Sequence, residues 1–347
     1  MKIIHLERER NLVAVTKLIS LWGLAESGLG GVMFAFKIPF TGFFIGAVAI
    51  ILLSLIAKFS NNSYREIISA TIIVMMVKAA VSPNSPLPAY LAVLFQGVTA
   101  AVLFSTVRSH KLACIILGML SMAESSLQKI IVLTIIFGKN FWEAINNLIK
   151  EIANTFSLNN AHDYTLYIIV VYVGFYVVWG AIVGVFAGGV PSRILNLKPI
   201  ILKRYSILRS EELKIFPITN KRSWGRHALF YTGILLFIIA VFIFSGADNK
   251  MVASIILRSV ASFLVLILIA RPLLTFLFKR WLVKRSHAEQ ERLQEVLRIL
   301  PVLKKLLTDA FAMSKSENGF FKRLKNFVTN VIILTLYAEV ENRHRHF

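Results

Sequence analysis

Phe40-Thr41-Gly42-Phe43-Phe44-Ile45-Gly46-Ala47-Val48-Ala49-Ile50-Ile51-Leu52-Leu53-Ser54-Leu55-Ile56-Ala57-Lys58 runs without a charged side chain until its last residue. An α-helix rises about 1.5 Å per residue, so about 20 apolar residues match the ~30 Å hydrocarbon thickness of a bilayer. A window of that length finds further apolar stretches at 17–36, 66–82, 87–106, 112–138, 165–190, 229–246 and 252–278. With 56% hydrophobic residues and a mean hydropathy of +0.69, the chain is excluded from the water-soluble globules. In lipid every backbone N–H and C=O must be satisfied within the chain, which leaves helices for segments of this length. The predicted fold class is therefore all-α: a polytopic membrane helical bundle of about eight transmembrane helices.

The 347 residues carry 39 Lys plus Arg against 18 Asp plus Glu, a net +21. The cations concentrate on one side once the N-terminus is placed inside: Lys58 and Arg65, then Arg108 and Lys111, then nine between Arg193 and Arg226, then the tail from Lys279. The opposite segments hold only Lys37, Lys139, Lys150 and Lys250. This asymmetry predicts N-in, C-in, and membrane lipid rather than nucleic acid as the partner of the positive charge. No basic stretch is interleaved with stacking aromatics in a foldable module. A single cysteine, Cys114, excludes a disulfide framework. The first apolar run lacks a small-residue cleavage pattern and reads as a retained span.

Four regions follow. Residues 1–195 hold six closely connected spans; 196–228 form a basic cytoplasmic connector; 229–278 form a two-helix membrane hairpin; 279–347 are cytoplasmic. Within the tail, Leu293, Val296, Leu297, Leu300, Leu303, Leu307 and Phe311 recur at helical spacing, predicting an amphipathic helix interrupted by Pro301. Phe327 to Ala338 is apolar but too short to span, and is expected at the interface or packed on the preceding helix. Asn140 to Asp163 is expected to form a short amphipathic helix capping the outer mouth.

An ionisable side chain at membrane depth costs about 2.5–3.5 kcal/mol on insertion scales, so each is a functional candidate. Glu26 lies in the first span and Glu124 in the fifth, both in the triplet Ala-Glu-Ser; Lys78 lies in the third and Gln96 in the fourth, with Lys129 one turn beyond Glu124. Two readings stand. In one, the glutamates pair with Lys78 and Lys129 as interhelical glue. In the other, these groups line a polar pocket, open outward, for a small polar or zwitterionic solute. Gly28, Gly30, Gly31, Gly180, Gly184 and Gly188 are spaced for close helix packing or for a flat face that meets a membrane partner.

No G-x-x-x-x-G-K-[ST], H-E-x-x-H or G-x-S-x-G occurs, and the seven histidines lack metal-ligand spacing. No catalytic residue, metal or cofactor is assigned, and the chain is read as not an enzyme.

The segment from Trp22 through Gly42, W-G-L-A-E-S-G-L-G-G-V-M-F-A-F-K-I-P-F-T-G, and the segment from Lys78 through Gly97 resemble the substrate-binding S component of energy-coupling factor importers. The resemblance covers about residues 15–195. It implies six spans, a bacterial inner-membrane location, and a pocket lined by Trp22, Glu26, Lys37 and the outer turns. The remainder is similar to a reduced T component. Leu297, Leu300, Pro301, Leu303 and Leu307 fall where that family has the leucine-proline segment before its coupling motif. The Ala-Arg-Gly or Ala-Arg-Ser motif itself is absent; the chain reads Ala312-Met313-Ser314-Lys315 there. The function implied is capture of a small, vitamin-like solute, with ATP hydrolysis by separate ABC-type ATPase subunits and a T-type membrane subunit as possible partners. The rival readings are a proton-coupled secondary transporter using Glu26 and Glu124, and a non-transporting membrane scaffold.

Overall fold

The computed structural model of the protein describes residues 2–30, 33, 41–60, 62–82, 85–155, 165–212, 287–315 and 319–338. The predicted hairpin 229–278 lies outside the described residues, as do Gly31 and Lys37. Among the described residues all regular structure is helical: α1 (Lys2–Leu24), α2 (Thr41–Phe59), α3 (Ser63–Val81), α4 (Leu87–Thr106), α5 (His110–Phe137), α6 (Lys139–Thr155), α7 (Thr165–Glu212), α8 (His287–Ser314) and α9 (Phe320–Tyr337). Five helices are long and apolar enough to cross a membrane, within Asn11–Leu29, Thr41–Phe59, Pro88–Thr106, His110–Phe137 and Thr165–Ile207. They make this a multi-pass membrane protein by length and composition.

Local chemistry sets the helix starts. The Asn62 side chain accepts from the Arg65 N–H at the head of α3, and the Ser109 hydroxyl accepts from the Leu112 N–H at the head of α5. Each thereby satisfies one orphan donor of a first turn. Pro88 stands in the first turn of α4, where a missing N–H costs nothing. Gly138, at φ 68°, ends α5 in a backbone conformation that disfavours other residues.

Packing then sorts the helices. α2 is central, with Ala49 to Ala57 buried without a break. α3 falls short of the apolarity of a span because it carries Arg65, Glu66 and Lys78. It is nonetheless an interior helix, buried from Val74 to Lys78. α5 and α7 form the most extensive helix pair. A Cβ on Gly118 would run into the Gly180 carbonyl, one on Gly180 into the Gly118 carbonyl, and one on Gly184 into the Cys114 backbone. Gly188 lies against Lys111. This glycine face thus packs inside the chain, backbone against backbone, as small residues allow in membranes.

One expected helix break is absent, and another helix runs beyond its predicted span. α7 runs on to Glu212 through Pro191 and Pro199, so the predicted start of a connector at 196 falls inside a helix. α8 runs through Pro301. Each proline removes one backbone bond, but Val190, Ile194 and Ile201 of α7 and Val296, Leu303 and Leu306 of α8 are buried on either side. That packing holds the helix together across the defect.

The tail helices are joined to the bundle at one end. Arg292 of α8 bonds Glu66 at 2.9 Å, the Lys17 amine donates to the Leu336 carbonyl at 3.3 Å, and the Lys198 amine lies 4.0 Å from the Tyr337 ring centre. The apolar piece at 327–338 is buried from Thr329 to Leu336 and packs on α8, where Asn330 donates to Ser314.

Candidate functional site

At the end of the bundle opposite α8 and α9, a cavity of about 380 Å³ opens between α1, α2, α3, α4 and α5. Its ionisable lining, among the described residues, is Glu26 and Lys78. The Lys78 amine donates to Glu26 Oε2 at 2.7 Å and to the Ala89 carbonyl at 3.3 Å. It also lies 5.8 Å from the centre of the Tyr90 ring, within reach of a cation–π contact. The two side chains are only 5% and 4% exposed. In so dry a place neither charge would be tolerated without the other.

The backbone of α1 sets this pair up. After Leu24 the helix changes to a π turn over Ala25–Leu29, with the Gly30 N–H reaching back five residues to the Ala25 carbonyl. Such turns fit one extra residue and re-aim the side chains within them. Glu26 sits in that turn, and the Ser27 hydroxyl donates to the Gly23 carbonyl, occupying an acceptor in the disturbed stretch.

Gln96 of α4 reaches the same cavity and is 3% exposed; its Oε1 is buried without a hydrogen-bond partner. The rim is polar and mostly satisfied. Ser85 donates to Ser82 at 3.0 Å, and the Gln128 amide donates to the Pro88 carbonyl at 2.8 Å. Gly42 and Gly46 of α2 leave space a side chain would fill. A Cβ on Gly46 would come within 3.1 Å of Met122 and 3.4 Å of the Gln96 amide nitrogen.

The structure brings Glu26, Lys78 and Gln96 together and places the other described candidates elsewhere. Trp22 is fully buried in the apolar core, its Nε1 without a partner, and does not line the cavity. Lys129 is exposed. Glu124 is half-buried outside the cavity lining, with Oε2 buried and without a hydrogen-bond partner. Gly28 is half-buried and meets only its own Leu24. Leu297, Leu300, Leu303 and Leu307 turn into the core, leaving Pro301 exposed. The helix expected over the mouth exists as α6, but none of its residues lines the cavity. Sequence reasoning missed Thr41, Gly42, Gly46, Ser125 and Gln128 as lining residues. The i, i+4 glycines at the start of the second span were the legible signal for this wall.

No protein-family model matches this chain, and no curated protein or solved structure matches it. Buried polarity and a closed ion pair suit a site that binds a small molecule. Among the described residues no group of three His, Cys, Asp or Glu is placed to hold a metal.

Proposed function

We propose that the chain captures a small polar solute from the outer side of a bacterial inner membrane for uptake. This resembles the S component of an energy-coupling factor importer, with ATP hydrolysis supplied by separate subunits. The observation that carries the reading is a cavity of about 380 Å³ lined by Gln96 and by the buried Glu26–Lys78 pair. The cavity lies at the end of the bundle away from the Lys- and Arg-rich loops, so the positive-inside rule turns it outward. The test is thermal unfolding of the purified chain with a broad metabolite panel. One or more solutes should raise Tm, and Gly46→Leu, which fills the cavity, should remove the shift. No shift across the panel would count against capture.

A second reading, proton-coupled transport, draws support from Glu124, a membrane-depth carboxylate with a buried oxygen and no partner. Under it, Glu124→Gln abolishes pH-dependent uptake in vesicles that lack ATPase subunits. Uptake unchanged by the substitution removes that reading.

A further inference from the structure

We infer that α6 (Lys139–Thr155) is a membrane-surface anchor. It lies flat in the bilayer interface at the cavity's end of the bundle, with Phe141, Ile145, Leu148 and Ile152 in lipid and its charged side in water. This contact with lipid does not depend on solute capture.

The side-chain pattern comes first. At about 100° per residue, Phe141, Trp142, Ile145, Leu148, Ile149 and Ile152 fall within one arc of about 120°. Lys139, Glu143, Asn147, Lys150 and Glu151 fall on the other side. At 17 residues and with two lysines and two glutamates, the helix is too short and too polar to cross the ~30 Å hydrocarbon core. Those four charges cancel, so burial of the apolar face, rather than attraction to anionic lipid, holds it at the surface. Leu148 and Ile152 stand 56% and 49% exposed among the described residues, an apolar edge that lipid covers.

Position decides the occupant. Gly138, at φ 68°, turns the chain directly after α5 ends at Phe137, so α6 starts at the level where that span leaves the hydrocarbon. Phe137 stacks on Phe141, Phe141 meets Trp142 edge-on, and the Trp142 indole N–H donates to Thr134 Oγ1 at 3.0 Å. Aromatic rings with a polar handle collect at this level of membrane proteins. Thr134 stands one helical turn after Ile131 and beside Ile135, both exposed. It lies nine residues beyond the cavity-lining Ser125, which turns it about 180° away around α5. α6 therefore starts on the lipid-facing side of α5 and not over the cavity, and its apolar face continues that lipid-facing surface.

The experiment measures spin-label depth on the full chain in lipid nanodiscs, in a Cys114→Ser background. Nitroxides are attached to Leu148→Cys and Ile152→Cys on the apolar side, and to Glu143→Cys and Asn147→Cys on the polar side; all four positions are exposed. Collision with dissolved oxygen, which concentrates in lipid, and with a water-soluble nickel chelate reads the depth. Labels at 148 and 152 are expected to favour oxygen and to lie about 5–10 Å into the headgroup and acyl boundary. Labels at 143 and 147 are expected to favour nickel. The depths should be the same in phosphatidylcholine alone and with phosphatidylglycerol added. Four positions equally open to nickel would place the helix in water and overturn the inference. Labels at 148 and 152 shielded from both reagents would put protein on that face, and overturn it equally. Insertion only with phosphatidylglycerol would overturn it as well, since charge would then hold the helix. A second measurement needs no cysteine. Lipids brominated near the glycerol end of their acyl chains should quench a fluorescence component that Trp142→Phe removes; absence of that component counts against the anchor.

Discussion

Residues 25–27 and 123–125 are the same triplet, Ala-Glu-Ser, and their places in the protein are opposite. In the first, the glutamate faces the cavity and pairs with Lys78, while the serine bonds its own helix. In the second, Ser125 lines the cavity, whereas Glu124 does not and keeps a buried oxygen unpartnered. Two differences account for this. The first triplet sits in a π turn, which departs from α-helical register, whereas α5 is α-helical from His110 to Phe137. The span of α1 is also 56% buried against 17% for that of α5, so partners surround Glu26 and are sparse around Glu124. Identical short sequence therefore fixes neither pairing nor role. The turn geometry and the depth of the helix in the bundle fix them.

Three substitutions, taken from the largest expected effect to the smallest, break or sharpen this contrast. Lys78→Met strands Glu26 as a buried unpaired charge and should cost about 3–5 kcal/mol, read as a large fall in Tm. The double variant Glu26→Gln/Lys78→Met should regain most of the loss. If it is as unstable as the single variant, the pair is not what holds this region. Glu124→Gln should leave stability unchanged or raise it by up to about 1 kcal/mol, because no bond is lost and a poorly solvated charge is removed. A clear loss of stability would reveal a partner and erase the difference between the two triplets. Lys129→Gln should fall within about 0.5 kcal/mol of the parent, as for other exposed sites. A loss approaching that of Lys78→Met would restore Lys129 as the partner of Glu124.

Much of the helical architecture was legible because burial in lipid imposes a length and an apolarity on each span. Thr41–Phe59 and Leu87–Thr106 match the sequence-derived segments 40–58 and 87–106 to within a residue. The misses share one cause. Pro301 reads locally as a break, yet α8 continues through it, as α7 does through Pro191 and Pro199, because distant residues bury the turns around them. The family resemblance implies Trp22 as a pocket residue, but packing places it wholly in the core. The site was half legible. Glu26, Lys78 and Gln96 stand out as polar groups in apolar helices, whereas Gly42, Gly46 and Gln128 become lining only when five helix ends converge.

The sequence by itself determined that this is a helical multi-pass membrane protein, since hydropathy acts residue by residue. Tertiary structure alone decided which of two identical triplets binds a lysine. It also decided that the α7 glycines close on α5, and that Gln96 lines a cavity beside the Glu26–Lys78 pair. Those outcomes depend on distances between helices far apart in the chain, and no local pattern encodes them.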